Sequence, residues 1–176
     1  QGLRSQVTAL IGESLADIRP GSKQAMALKQ LLQDKGLWSQ YLEVGIGPDA
    51  EVFTKAPVLA SMGCGEDIGI RSDSAWNNPE PEVVLAVNSR GTIVGAALGN
   101  DVNLRDIEGR SALLLGKAKD NNASCAIGPF IRLFDAGFDL DQVRRETVHL
   151  RVSGTDGFEL RGINTMASIS RDPIDL

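Results

Sequence analysis

Two short apolar segments on either side of a turn-forming tetrapeptide constrain the fold of this chain most. The segment from 80 to 87 alternates in the manner of a β-strand, and the segment from 92 to 98 has a similar strand-like composition. The four residues between them, Asn88–Gly91, have the composition of a hairpin turn. The pattern therefore predicts an antiparallel hairpin, in which residues two apart along a strand share one face.

The acidic residues of this hairpin are predicted to lie on one face. Glu80 and Glu82 are two residues apart, so that both side chains point to the same side of the sheet. With a four-residue turn Glu80 lies opposite Gly99, and Asp101 joins the two glutamates two residues further along the second strand. A slip of one residue in the pairing would break this grouping. The spacing predicts a cluster of three carboxylates.

Three carboxylates in one place call for a cation. At about 4 Å and an effective dielectric constant near 20, each like-charge pair costs about 4 kcal/mol. With no histidine or cysteine close by, an all-oxygen ligand set favours Mg²⁺, with Mn²⁺ or Ca²⁺ as competitors, over Zn²⁺. In a second interpretation, Glu80 and Glu82 form a solvated strand face and Asp101 caps a helix. The spacing alone leaves both interpretations open.

Three further charged residues follow the acidic cluster in the sequence. Arg105 is the cation nearest to it, and a guanidinium there would either hold a substrate carboxylate or neutralise the excess negative charge. Glu108 is interpreted as a charged residue on the protein surface. Lys117 follows an apolar run, and a lysine beside a pocket can act as acid, base or enolate stabiliser, although most lysines are solvated.

The remaining pattern predicts helices at the amino end and a second hairpin near the carboxyl end. A helical stripe runs from 3 to 18, and Ser22 is a plausible N-cap for a second helix that ends at Gly36. The passage from 38 to 48 is rich in turn-forming residues. Alternating segments on either side of a turn at 154–157 predict the second hairpin.

Composition excludes several classes of protein. A net charge of −5 and a pI near 4.9 argue against nucleic acid or an anionic membrane as the main partner. No apolar run reaches the length of a membrane span, and no signal peptide is visible. Cys64 and Cys125 have no metal-ligand spacing, which favours free buried thiols in a reducing cytoplasm.

Several of these motifs together resemble a known family. They are Glu80-Pro81-Glu82, the run from Gly99 to Asp106, Gly116-Lys117 and Ile127-Gly128-Pro129. The combination is similar to the catalytic domain of the fumarylacetoacetate hydrolase superfamily over roughly residues 50 to 176. The passages 38–48 and 113–122 are similar to its sugar-acid branch, the 2-keto-3-deoxypentonate dehydratases.

The resemblance implies a β-rich α+β fold. We expect a mixed β-roll catalytic domain at residues 49–176, preceded by a helical segment at 1–48. The family domain continues through further strands, so we expect this chain to be incomplete at its C-terminal end. The superfamily also implies a homodimer or a larger homo-oligomer, while the cysteines favour a cytoplasmic location.

The resemblance also implies an activity and roles for the site residues. Glu80, Glu82 and Asp101 correspond to ligands of Mg²⁺ or a similar ion. Arg105 and Glu108 correspond to substrate-binding positions, although some hydrolases have glutamine in place of Glu108. Lys117 is the candidate acid or base.

The implied reaction is the metal-dependent dehydration of a 2-keto-3-deoxypentonate, a small 2-oxo acid, to a 2-oxoglutarate semialdehyde. One alternative is a C–C hydrolase or decarboxylase acting on acylpyruvates or other 2-oxo acids. The chain has no histidine upstream of the paired glutamates, where those enzymes carry a His-Glu pair. The other alternative is a metal-binding module without catalytic activity.

Overall fold

A computed structural model of the protein describes residues 18–176. Its helices and antiparallel sheets confirm the predicted β-rich α+β class. Except for Ile18, the helix predicted from 3 to 18 lies outside the described residues. In chain order the elements are α1 (Lys23–Asp34), α2 (Gln40–Ile46), β1 (Asn77–Asn78), β2 (Pro81–Val87), β3 (Ile93–Asp101), β4 (Asn103–Leu104), α3 (Arg105–Glu108), α4 (Leu115–Lys119), β5 (Cys125–Leu133), α5 (Leu140–Val143), β6 (Thr147–Ser153) and β7 (Glu159–Thr165), with 3-10 turns at Ala112–Leu114, Met166–Ser168 and Pro173–Asp175.

The described chain forms two compact units. The first comprises residues 18–52 together with Ser168–Leu176, and the second comprises Phe53–Ala167. The domain boundary between residues 48 and 49 stays a prediction. In the part of the chain that the structure describes, no helix is both long and apolar enough to cross a membrane.

Helix α1 of the first unit begins and ends where the sequence predicts. The Ser22 hydroxyl accepts a hydrogen bond from the Ala25 amide at 3.2 Å, which caps the first turn. At the other end Gly36 has a φ of 65°, a conformation in which glycine carries no steric penalty. The Leu37 amide then donates to the Leu32 carbonyl at 2.8 Å, which closes the helix.

The passage from 38 to 48 contains helix α2, where the sequence pattern favours turns. Ser39 caps this helix by accepting a hydrogen bond from the Leu42 amide at 3.3 Å. Glu43 accepts a 2.9 Å hydrogen bond from Trp38 and forms a 2.6 Å ion pair with Lys29 of α1. The expectation of a turn-rich passage was wrong, because the glycines and Pro48 of this passage favour turns while the local helix start at Ser39 was overlooked.

The central sheet of the second unit has the antiparallel strand order β2-β3-β5. Glu82 pairs with Gly99, and the Asp101 amide donates to the Glu80 carbonyl at 2.9 Å. The predicted register, with Glu80 opposite Gly99, was therefore wrong by two residues. A shift of two keeps every side chain on its face, so the predicted grouping of the carboxylates is unaffected.

Two single-residue shifts produce this register. The Asn88 amide donates to the Thr92 carbonyl at 2.9 Å, so the turn closes one residue later than predicted. The Asn88 side chain stabilises this turn by accepting hydrogen bonds from the Arg90 and Thr92 amides. A bulge between Ala86 and Val87 adds the second shift.

Two smaller two-stranded sheets complete the second unit. Strands β6 and β7 form the predicted C-terminal hairpin. Strand β1 pairs with β4 through Asn78 and Asn103, directly after β3 ends.

A small apolar core lies next to the β1–β4 sheet. It is formed by Leu104 and the fully buried Ile107 and Ala118, with Leu114 packed against it. Because Leu104 and Ile107 flank the start of α3 and Ala118 lies on α4, this packing holds the two helices beside the end of β3.

Candidate functional site

The structure brings Glu80, Glu82 and Asp101 together, as the sequence predicts. Glu80 immediately precedes β2, Glu82 lies in β2, and Asp101 ends β3. One carboxylate oxygen of each residue lies within 4.8 Å of the other two. Asp101 is buried, Glu80 is partly buried and Glu82 is exposed. The cluster therefore extends from the interior of the sheet to the surface.

Lys119 supplies one positive charge to this cluster. Its Nζ donates hydrogen bonds to Glu80 Oε2 and, at 2.7 Å, to Asp101 Oδ2. The same Nζ lies 5.5 Å from the centre of the Phe53 ring, a favourable cation–π distance. Burial disfavours the charged ammonium, but the hydrogen bonds to Asp101 and Glu80 outweigh it and raise the pKa of Lys119. The side chain therefore stays cationic.

Lys55 supplies a second positive charge from the other side of Asp101. Its Nζ lies 2.9 Å from Asp101 Oδ1, in an ion pair without the geometry of a hydrogen bond. The ammonium donates instead to the carbonyls of Val102, at 2.7 Å, and Lys119, at 2.5 Å. One side chain thus connects the end of β3 with the end of α4.

Lys117, the lysine assigned from the resemblance, is not brought to the carboxylates. It is exposed, whereas Ala118 and Lys119 are buried. Residues two apart on a helix point about 200° away from each other, so only one of Lys117 and Lys119 can face the cluster. The role assigned to Lys117 stays a prediction that the experiment below decides.

Arg105 and Glu108 are connected to the cluster through hydrogen bonds. Arg105 pairs with Glu108 Oε2 at 2.7 Å. Asn103 Nδ2 donates to the same oxygen at 2.8 Å and to Glu80 Oε1 at 3.0 Å. Glu108 is therefore one side chain away from the predicted metal ligand Glu80, and Arg105 is two side chains away from it.

A cavity of about 260 Å³ opens beside the carboxylates. Its walls include Phe53, Lys55, Glu82, Gly99 and Asp101. Although Glu82 is exposed as a residue, loss of water around its carboxyl group raises its pKa, and the charge of Asp101 adds to this effect. The cavity thus combines apolar walls with acidic and basic groups.

The two cysteines lie in different environments. Both are free thiols. Cys64 is exposed, so the expectation that it is buried was wrong. Cys125 lines the cavity, and burial raises the pKa of its thiol, which keeps it protonated and weakly nucleophilic.

The donor set fits a hard divalent cation. The ligand atoms are all carboxylate oxygens, which Mg²⁺, Mn²⁺ and Ca²⁺ prefer. Oxygens on opposite sides of such an ion lie about 4 Å apart for Mg²⁺ and about 5 Å apart for Ca²⁺. The three oxygens lie within 4.8 Å of one another, so a small inward movement of the side chains is enough for them to bind one such ion.

Charge counting supports the same fit. Three carboxylates face two lysine ammonium groups, so the cluster keeps one negative charge. A divalent ion would reverse that charge. The site would then attract a small organic anion to the cavity.

Sequence reasoning missed Lys119, Lys55 and Asn103. Lys119 lies two residues after Lys117, the predicted lysine. The sequence shows an apolar run followed by polar residues, which does not reveal that both lysines lie on one helix and point in different directions. Lys55 lies 47 residues before its partner Val102, and no local pattern connects them. Asn103 lies within the motif that carries the resemblance, but its contacts depend on the packing of β4.

Comparison with known proteins identifies relatives of one kind, although no family model matches the chain. It is 39% identical over 99 residues to a probable 2-keto-3-deoxyxylonate dehydratase of Haloferax volcanii, covering 56% of this chain and 34% of that protein. It is 42% identical over 81 residues to a 2-dehydro-3-deoxy-D-arabinonate dehydratase of Saccharolobus solfataricus, covering 46% of this chain and 27% of that protein. The chain thus matches about a third of the length of these curated relatives.

The fold is similar to that of a solved dehydratase. A 2-keto-3-deoxy-D-arabinonate dehydratase, complexed with magnesium and 2,5-dioxopentanoate, superposes with a TM-score of 0.67 and 30% identity, over 77% of this chain and 47% of that chain. The apo form of such an enzyme superposes with a TM-score of 0.69. These relatives confirm the resemblance of the chain to 2-keto-3-deoxypentonate dehydratases.

Proposed function

We propose that the protein containing this chain dehydrates a 2-keto-3-deoxypentonate to 2,5-dioxopentanoate in a Mg²⁺-dependent reaction. One observation carries the proposal: three carboxylates and two lysines converge beside a cavity, in a chain 30% identical to a dehydratase complexed with magnesium and that product. The reaction removes a proton from C3 and the hydroxyl group from C4, which leave as one water molecule. This elimination leaves a C3=C4 double bond beside the C5 hydroxyl group. Transfer of a proton from C5 to C3 then gives the C4=C5 enol, and tautomerisation of that enol, which moves the hydroxyl proton to C4, gives the aldehyde at C5.

We assign the metal to Glu80, Glu82 and Asp101. Their oxygen-only donor set and 4.8 Å spread support the assignment. When bound, Mg²⁺ supplies a Lewis acid that lowers the energy of negative charge developing on a 2-oxo acid. The buried carboxylate of Asp101, held by both lysines, gives the ion a fixed anchor.

Basic residues of this chain orient the anionic substrate in our proposal. Arg105 is partly exposed and is connected to Glu80 through Glu108 and Asn103, where its guanidinium can contact a substrate carboxylate. Glu108 holds that guanidinium at 2.7 Å. Lys119 places a cation next to the ligands, where it stabilises developing negative charge. We therefore move the catalytic role assigned to Lys117 from the resemblance to Lys119.

Product analysis of the natural full-length protein tests the activity. The protein is incubated with 2-keto-3-deoxypentonate, with Mg²⁺ and after chelation, and the aldehyde product is followed. We expect the aldehyde only when the metal is present. Absence of aldehyde under both conditions would overturn the proposal, and acylpyruvates and oxaloacetate would then be the substrates to test for C–C hydrolysis or decarboxylation.

A pair of lysine variants decides which lysine is catalytic. We expect Lys119→Met to lower kcat at least 100-fold, because a cation next to the metal ligands is lost at a site where such groups contribute roughly that factor. Lys117→Met, a change of the same size on the exposed side of the same helix, is the matched control and should keep kcat within about twofold. The reverse pattern would return the role to Lys117.

Assembly and location remain part of the proposal. We propose a cytoplasmic homodimer or larger homo-oligomer that binds neither nucleic acid nor membranes, supported by the net charge of −5 and by two free cysteines. Light scattering of the purified protein tests the assembly. A monomer at micromolar concentration would contradict it.

A further inference from the structure

We infer that Asn103 is a positioning residue that couples the proposed metal ligand Glu80 to the proposed substrate-binding pair Arg105 and Glu108. The inference rests on the proposed function and deepens it. It predicts that metal affinity and substrate affinity depend on one buried amide. Three observations support it: the burial of Asn103, the use of both its N–H groups, and the unsatisfied state of its oxygen.

Asn103 is completely buried and uses both of its amide hydrogens on carboxylates. Nδ2 donates to Glu80 Oε1 at 3.0 Å and to Glu108 Oε2 at 2.8 Å. Carboxylates only accept hydrogen bonds, so the reversed amide would place Oδ1 against two negatively charged oxygens. The two glutamates therefore fix the orientation of the amide.

The amide oxygen of Asn103 shows what the side chain contributes. Oδ1 is buried and has no hydrogen-bond partner among the described residues. An unsatisfied buried acceptor weakens a fold, so the favourable contribution of Asn103 comes from its two donors. Asn103 also sits on a rigid part of the backbone, paired with Asn78 and followed by the buried Leu104.

These contacts form a continuous path from one function to the other. Glu80 is held through Oε1 by Asn103 and through Oε2 by Lys119, so both its oxygens are fixed. Glu108 Oε2 accepts from Asn103 and from Arg105, the latter at 2.7 Å. Without the amide, Glu80 keeps only Lys119 and Glu108 keeps only Arg105 of these donors, so each carboxylate is held in place less firmly.

Two measurements on the natural full-length protein test the inference. The first is calorimetric titration of the metal-free protein with Mg²⁺ in the absence of substrate. The second is the separation of KM from kcat for 2-keto-3-deoxypentonate at saturating Mg²⁺. We expect Asn103→Leu, which removes both donors at similar volume, to weaken Mg²⁺ binding about tenfold and to raise KM, with a smaller effect on kcat.

Control variants separate positioning from a general loss of stability. Asn88→Ala removes hydrogen bonds in the hairpin turn without touching the site, and should leave both affinities unchanged. Asn103→Ser keeps a single hydroxyl donor. If Asn103→Leu fails to fold, this variant tests whether Asn103 positions the two glutamates. We expect its Mg²⁺ affinity to lie below that of the wild-type protein.

A double-mutant cycle with Glu108→Gln gives a readout that lost stability alone would not move. If Asn103 acts through Glu108, Glu108→Gln changes KM less in the Asn103→Leu background than in the wild type. Wild-type Mg²⁺ affinity and KM in the folded Asn103 variants, or strictly additive changes in the cycle, would overturn the inference while the proposed function stands. A wild-type protein that binds Mg²⁺ but forms no aldehyde would instead overturn the proposed function, on which the inference depends.

Discussion

At the scale of single residues, Lys55 shows how one ammonium group can connect several elements. It contacts the carbonyls of Val102 and Lys119, the hydroxyl of Ser124 and the buried carboxylate of Asp101. A charge taken out of water is costly unless it is paired, and here each partner compensates the other. The geometry of the carboxylate cluster therefore depends on a residue outside it.

Replacement of Lys55 tests this dependence. We expect Lys55→Met to lower the free energy of unfolding by about 3 kcal/mol, because Asp101 then keeps a buried charge with one partner fewer. Urea unfolding of the metal-free protein measures the change. Lys117→Met, an exposed lysine changed in the same way, is the control. Equal stability of the two variants would contradict the role of Lys55.

Asp106 gives the protein a predictable response to acid. The amide of Ala75 and the hydroxyl of Ser74 hydrogen-bond to this carboxylate at 2.9 and 2.8 Å, and they lower its pKa from the ordinary value of 3.8. A lowered pKa in the folded state stabilises the fold above pH 3.8, and this contribution is lost progressively as the pH falls from there through the folded-state pKa.

Stability measured against pH tests the role of Asp106. We expect Asp106→Asn to be less stable than the wild type at pH 7 and to lose less stability between pH 5 and the acid limit, at about pH 2. Chemical unfolding at a series of pH values measures both differences. Parallel curves for the two proteins would show that the carboxylate contributes nothing to the pH dependence.

At the scale of secondary structure, the β2–β3 hairpin places the metal ligands and one wall of the cavity. Gly99 lies opposite Glu82, and a Cβ added there would come within 2.5 Å of Val84 Cγ2. Contacts this short do not occur, so the Val84 side chain or the backbone would have to move. The packing of Val84 against β3 beside the carboxylates thus favours glycine at this position.

A single methyl group tests this requirement. We expect Gly99→Ala to destabilise the protein by about 1–3 kcal/mol, and Val84→Ala to recover part of that loss in the double variant. Gly63→Ala is the control, since a Cβ there meets nothing within 4 Å. Urea unfolding gives the comparison. A Gly99→Ala protein as stable as the control would show that the hairpin has room for the methyl group.

At the scale of the whole molecule, the negative charge left at the site connects metal binding with folding. An ion that binds only the folded protein stabilises it by about 2.7 kcal/mol at a concentration 100 times its dissociation constant. For a chain of this length that corresponds to a rise in melting temperature of about 5–10 °C. Removal of the ion by a chelator would lower the melting temperature by the same amount.

Thermal unfolding with Mg²⁺ and with a chelator tests this connection. We expect the wild-type melting temperature to rise with Mg²⁺, because the carboxylate cluster keeps one negative charge that the ion compensates. Glu82→Gln removes a proposed ligand at the exposed side of the cluster. We expect the Mg²⁺-dependent rise in melting temperature of this variant to be less than half that of the wild type. An equal rise in both proteins would place the binding of Mg²⁺ elsewhere.

The fold was predictable from the sequence where local patterns decide it. Helix α1 has a serine before it and a glycine after it, and both hairpins alternate around recognisable turns. Helix α2 has the same signals, Ser39 before it and Gly47 after it, but the glycines and the proline of this passage favoured a turn-rich interpretation. The resemblance to the dehydratase branch was also apparent from the motifs and is confirmed by the relatives.

The sequence by itself determined that Glu80, Glu82 and Asp101 share a face, because alternation along a strand is local and survives a register error of two residues. Only the tertiary structure decided which basic and polar groups meet them. Lys119 faces the cluster because Ala118 of the same helix packs against Leu104 and Ile107. The ammonium group of Lys55 donates to the carbonyl of Lys119, which lies 64 residues further along the sequence. Contacts between distant segments arise only when the chain is packed, so no local pattern encodes them.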